Sequence, residues 1–174
     1  MRDWFREDML ATAEEIIAQS ERLGNRKATG YAGPLPGDVY VFGQKSDIQW
    51  MVIRYHPDDP NLILLAPVDG FPLAGTPDLT LQVKRVGGPL TVRCGQTEWI
   101  HRDVVKQANL IDYIPEKFRV TVQRRLADLA RGRDIEPQAI DFDHQYENWL
   151  LKVASARCQL YAKSLELEKQ QQRS

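Results

Sequence analysis

Four short clusters carry side chains capable of chemistry, and each has a structural explanation beside the chemical one. His56-Pro57-Asp58-Asp59 places an imidazole and two carboxylates within one turn, a set suited to a divalent cation or to proton transfer. The same residues are what a proline turn uses to satisfy its own backbone donors, and that reading is preferred. Asp141-Phe142-Asp143-His144 offers two carboxylates and a second imidazole, but it stands just before a helical pattern, where Asp is the expected cap. Arg93, Cys94, His101 and Arg102 flank Trp99, and a thiol near an imidazole raises nucleophilic catalysis. If Thr91, Arg93 and Gly95 share one strand face, Cys94 points to the other and packs as a small hydrophobe. Arg119, Arg124, Arg125, Arg131 and Arg133 form a basic series that could meet phosphates, yet Glu116 and Asp128 interrupt it, as on a solvated helix face.

Composition narrows the function classes. Apolar residues make up 43% of the 174 residues and charged residues 27%, a balance that supports a packed core instead of a disordered chain. The formal net charge of −1 supplies no global field toward nucleic acid or an anionic membrane, so nucleic-acid binding and membrane association are not expected. The N-terminal run Met1 to Asp8 carries carboxylates where a signal peptide needs an apolar stretch, and a cytoplasmic protein is expected. Cys94 and Cys158 lie far apart without zinc-ligand spacing, so two free, mostly buried thiols are expected, with no metal or other cofactor.

The elements that position these groups are organised around Pro36 to Leu81. Three apolar runs there, Val39–Phe42, Trp50–Tyr55 and Leu62–Val68, are separated by turn chemistry and read as the first half of a small β-barrel. Strands are predicted near 38–42, 49–55, 62–67, 79–84 and 90–94. The continuous run Leu62–Val68 is the most buried of them. Glu98-Trp99-Ile100 follows a turn, and a short helix over 101–108 precedes an extended piece from Asn109 to Ile114. Helices are predicted at 4–23, stopped by Gly24-Asn25, at 115–131 and at 143–169. The fold class is therefore α+β, a small barrel of about five strands flanked by amphipathic terminal helices. The expected divisions are 1–35 for the first helix and linker, 36–132 for the barrel and its helix, and 133–174 for the long last helix.

Two interaction surfaces are suggested. The Gly- and Pro-rich segment Asp69 to Asp78 is longer than a connection needs, and with neighbouring aromatics it would form a groove for a peptide; Tyr55, Phe71, Leu73 and Trp99 are the expected partner-binding residues. On the last helix, Trp149, Leu150, Val153 and Leu160 form a nearly heptad-spaced stripe. A helix that long outruns a small barrel, so its far end is expected on the N-terminal helix or on a second copy, with a two-fold homodimer favoured.

The order Pro36-Gly37-Asp38-Val39-Tyr40-Val41, a hairpin, Trp50-Met51-Val52-Ile53 and Leu62-Ile63-Leu64-Leu65-Ala66-Pro67-Val68 resembles the Src-homology-3-like small barrel of the MazF/PemK growth-inhibitor toxins over residues 36–131. The resemblance implies a dimeric, RNA-cleaving protein. The functional residues depart from the pattern: Ser46-Asp47-Ile48-Gln49 stands where the family has an arginine, and Asp69-Gly70 where it has a hydroxyl residue. Without a cation and a hydroxyl at the scissile phosphate, cleavage loses its electrostatic support. The leading expectation is a non-enzymatic protein-interaction module. A diverged endoribonuclease-toxin relative comes second, and a metal-dependent enzyme using His56, Asp58 and Asp59 third.

Overall fold

A computed structural model describes residues 13–28, 33–43, 46–71, 74–75, 77–83, 89–133 and 144–174. Among these residues the chain is α+β, with one antiparallel sheet of seven strands: β1 (Asp38–Val41), β2 (Gln49–Tyr55), β3 (Leu62–Asp69), β4 (Leu79–Leu81), β5 (Leu90–Val92), β6 (Glu98–His101) and β7 (Asn109–Tyr113). The helices are α1 (Ala13–Ala28), α2 (Arg102–Lys106), α3 (Glu116–Ala130) and α4 (His144–Arg173), and Cys94–Gln96 forms a 3-10 turn. The pairing path is β4-β5-β3-β2-β1-β7, with β6 also on β3; β4 and β7 stand at its two ends, and the sheet is open.

The period-2 pattern of the central strands explains the layering. Val39, Met51, Ile53, Leu64, Ala66, Val68 and Val92 face one side, where Val122 is buried and Phe118, Leu126 and Leu129 of α3 pack on them. Their alternates Tyr40, Trp50, Val52, Ile63 and Leu65 face the other side and meet Val153 and Leu160 of α4. A strand covered on both faces needs apolar residues at every position, which is why β3 reads as an unbroken run. One edge of β3 pairs along β2, from Gln49↔Val68 to Tyr55↔Ile63. Its other edge is divided, with β6 at Leu62–Leu65 and β5 at Val68–Asp69.

Several expected boundaries shift. Helix α1 does not stop at Gly24-Asn25 but runs to Ala28. Gly24 costs an exposed helix about 1 kcal/mol relative to Ala, and Arg26 in the next turn reaches the buried Asp38 carboxylate through two 3.2 Å hydrogen bonds, holding the helix end on the sheet. The part of that helix expected before Ala13 lies outside the described residues. Strand β5 ends at Val92, so Arg93 and Cys94 leave the ladder. Helix α4 continues through Gln170 to Arg173.

The far end of α4 packs on β6 and α2 of its own chain. Ser164 Oγ accepts the His101 N–H at 2.8 Å, Leu167 packs on the α4-side core, and Gln171 Nε2 donates to Asp103 Oδ2 at 3.2 Å. Strand β6 and helix α2 extend the surface beyond five strands, and that added length is what α4 covers. Val153 and Leu160, expected on a self-association stripe, are buried on this surface, while Trp149 and Leu150 are half-buried.

Gly37 is a specific requirement of the β1 entry. Its φ is +94°, and a Cβ there would lie 2.8 Å from the Ile114 carbonyl oxygen. Its own N–H donates to Val52 O and its carbonyl accepts from Ile114 N–H, each at 2.8 Å, so the backbone cannot yield without breaking the sheet. Gly43 has a φ of +84° but open space around it. Gly37→Ala is expected to cost about 3 kcal/mol or more in urea unfolding, against about 1 kcal/mol for Gly43→Ala; equal costs would show that the Gly37 surroundings do not constrain it.

Candidate functional site

The segment expected to be a free binding loop is fastened from inside. Arg93 is 0% exposed, and its guanidinium donates to both Asp69 oxygens, Nε to Oδ2 at 2.9 Å and Nη2 to Oδ1 at 2.7 Å, and through Nη1 to Asp78 Oδ2 at 2.9 Å. The same carboxylates accept from the segment's backbone: Phe71 N–H reaches Asp69 Oδ1 and Gly75 N–H reaches Asp78 Oδ2, each at 2.9 Å. Tyr146 of α4 adds its hydroxyl to Asp78 Oδ2 at 3.3 Å. Burial by itself pulls the guanidinium pKa down, and the hydrogen bonds and charges of Asp69 and Asp78 more than reverse it, so Arg93 stands above its ordinary value. Burial, reinforced by the Asp78 charge, raises the Tyr146 phenol, so it remains a neutral donor.

Of the expected partner-binding residues, the three that are described, Tyr55, Phe71 and Trp99, are not brought together. Tyr55 donates its hydroxyl to Pro34 O at 2.7 Å and so fastens the segment entering β1. Phe71 stacks on Trp149 with ring centroids 5.3 Å apart and planes 8° from parallel, and on Tyr146 at 6.4 Å, which turns it toward α4. Leu73 lies outside the described residues. Trp99 is half-buried and meets the Arg54 guanidinium 5.1 Å from its ring centroid and the His56 ring edge-on at 4.8 Å.

The clusters considered for catalysis resolve into structural roles. His56 Nδ1 accepts the Asp58 N–H at 3.1 Å and Asp59 Oδ1 accepts the Asn61 N–H at 2.9 Å, the local turn bonding anticipated for that stretch. Asp141 and Asp143 lie outside the described residues, and His144 begins α4 with an exposed ring 3.9 Å from Glu147. Cys94 packs in the α3-side core, and burial, with Asp78 adding to it, pushes its thiol up to about 12. His101 instead caps α2, its Nδ1 accepting the Asp103 N–H at 3.2 Å, and Arg102 N–H bonds Asn61 O. The arginine series is dispersed: Arg119 donates to Pro36 O at 2.9 Å and lies over Tyr113, while Arg133 pairs with Asp128. Cys158 is free but exposed, against the expectation of a buried thiol, because it lies off the sheet-facing stripe of α4.

A groove of 540 Å³ opens between α3 and the sheet, with Ile53, Leu64 and Trp99 on one side, Leu126 and Ala130 on the other, and Arg54 and Gln123 as polar members. Its position follows from a β-bulge. The β2–β3 register shifts between Val52 and Arg54, so Ile53 is the extra residue, and the neighbouring side chains Ile53 and Arg54 both line the groove. Gln123 Nε2 crosses from α3 to the Ile53 carbonyl at 3.4 Å. The strand pattern alone misses this: Arg54 interrupts an apolar run, a local signal, but the bulge that turns it beside Trp99 depends on pairing with β3.

Neither a protein-family model nor a curated protein matches the chain. Among the described residues no group of three or more His, Cys, Asp or Glu side chains is placed to hold a metal ion, and no helix is long and apolar enough to cross a membrane.

Two outcomes follow. In native protein near pH 8 a colorimetric thiol reagent is expected to reach Cys94 only in denaturant; two rapid native equivalents would contradict the Cys94 environment. Arg93→Met is expected to lose about 3–5 kcal/mol in urea unfolding, because it leaves two carboxylates buried without their cation; a loss below 1 kcal/mol would show that the network is dispensable.

Proposed function

We propose that the protein is a non-enzymatic interaction module that binds an extended segment of a protein partner in the groove between α3 and the β2–β3–β6 surface. The observation that carries this reading is the half-buried Trp99 indole under the Arg54 guanidinium, set over an apolar floor of Ile53, Leu64 and Leu126. Aromatic and Arg side chains in a partly desolvated pocket are what interaction hot spots are made of. The chemistry selects a segment with one large apolar side chain for the floor and a neighbouring carboxylate for Arg54. Binding is thereby assigned to the groove instead of the Asp69–Asp78 segment, whose two carboxylates Arg93 already occupies. The two free cysteines support a reducing compartment, the cytoplasm.

A diverged MazF/PemK-like endoribonuclease is the second reading. The open sheet supports it by its order, since β3 shares one edge between β5 and β6 and two strands carry register shifts, features of a sheet bending toward a small Src-homology-3-like barrel. Against nuclease action, the Asp69 carboxylate lies in the buried ion pair with Arg93, where the family has a hydroxyl residue.

Both readings meet one experiment. A display library of short peptides is selected on the intact protein, and the winners are measured by calorimetry on wild type, Trp99→Ala and Arg54→Ala, with single-stranded RNA incubated in parallel. Enrichment of apolar–acidic peptides whose affinity falls about tenfold or more with Trp99→Ala is expected, with the RNA left intact. RNA cleavage that Arg54→Ala abolishes, or peptides indifferent to both substitutions, would overturn the proposal.

A further inference from the structure

Helix α4 carries two apolar stripes, although covering a sheet needs only one. Trp149, Val153, Ala156, Leu160 and Leu167 face the core. At about 100° per residue, a second stripe of Leu151, Ala154, Cys158, Ala162 and Leu165 lies roughly 170° around the helix, on the opposite side. It is largely open to solvent: Leu151 is 68% exposed, the adjoining Tyr161 44%, and Cys158 and Ala162 are exposed, with Ala154 and Leu165 half-buried. The polar residues Lys152, Ser155, Gln159, Lys163 and Glu166 occupy the remaining face.

The second stripe is symmetric about Cys158. Ala154 and Ala162 lie four residues to either side, Leu151 and Leu165 seven, and Glu147 and Lys169 eleven. The spacing of four, three, four and then four, three, four is two 11-residue repeats, a seam that stays on one face of a nearly straight helix. The types match across the centre, apolar with apolar and acid with base. A sequence with this symmetry is complementary to its own antiparallel copy.

We infer that a second copy of this chain covers the exposed α4 stripe, the two helices running antiparallel about a two-fold axis at Cys158. Each Leu151 then meets the second copy's Leu165, and each Glu147 its Lys169, twice per dimer. Ala154, Cys158 and Ala162 are small enough for the axes to approach to about 8 Å at the centre. An isologous contact of this kind satisfies both copies with one surface and leaves no unpaired charge at the seam ends. The groove beside Trp99 takes no part in it.

The pairing of Glu147 with Lys169 gives a test that general stickiness would not pass. Sedimentation is run at several loading concentrations on wild type, Leu151→Glu with Leu165→Glu, Glu147→Lys, Lys169→Glu, and the Glu147→Lys with Lys169→Glu exchange, each checked for native circular dichroism. The inference expects a wild-type dimer, an about hundredfold weakening for the leucine pair, an about fivefold weakening for either single charge change, and recovery in the exchange. A short bismaleimide should couple two wild-type chains through Cys158 and fail with Cys158→Ser. A wild-type monomer at every concentration, a dimer indifferent to the leucine changes, or an exchange as weak as the single changes would overturn it. The surface leucine changes leave the core stripe intact; should they nonetheless unfold the protein, the charge series and the crosslink decide alone.

Discussion

A fully buried guanidinium is the constraint on which the arrangement depends. Moving an isolated cation out of water is prohibitive, so Arg93 exists at this position only because Asp69 and Asp78 are brought to it, with four hydrogen bonds from its guanidinium to carboxylates and the Phe71 carbonyl. Those acceptors come from the end of β3 and from the segment leading into β4, and Tyr146 adds α4. One side chain therefore ties together three parts of the chain that are distant in sequence. Fixing them places Phe71 against Trp149 and so sets where α4 begins its path across the sheet. A second buried ion, Asp38, does the same at the opposite end for α1 through Arg26.

The sheet between these two anchors is a partition. Its α3 face carries the groove, and α4 covers the other face from Asp47, paired with Lys152 at 2.6 Å, to Asp103. The two proposed surfaces, the strip beside the β2 bulge and the outer side of α4, lie on opposite sides of this partition, so a groove ligand and a second copy would not compete.

Much of this layout is legible in the sequence, for physical reasons that differ by element. Leu62–Val68 is legible because a strand buried on both faces permits no polar residue. Glu116–Ala130 is legible from Pro115 before its first turn and from Phe118, Val122, Leu126 and Leu129 at helical spacing. How the segment from Asp69 to Asp78 is held is not legible, because Gly, Pro and Asp read alike whether a loop is free or held by an ion. Its one sign is Arg93, a charge set between Val92 and Cys94 where both neighbours are buried. How much of α4 its own chain covers is not legible for another reason: Glu98–His101 pairs with β3, 33 or more residues earlier, and no local pattern reveals that this broadens the sheet. The groove is illegible for the same cause, since a bulge is a property of a strand pair, not of a strand.

Amide hydrogen exchange on the intact protein, read residue by residue, tests most directly whether Arg93 fastens the segment beside it. The N–H groups of Phe71 and Gly75 donate to the carboxylates that Arg93 holds, so they should exchange only with the global or near-global opening that also exposes Val52 and Leu65, and Arg93→Met should release them before the strands. Exchange of Phe71 and Gly75 as fast as that of the Asn61 amide, which bonds an exposed turn, would contradict the account, because the segment would then be an open loop and the binding role would return to it.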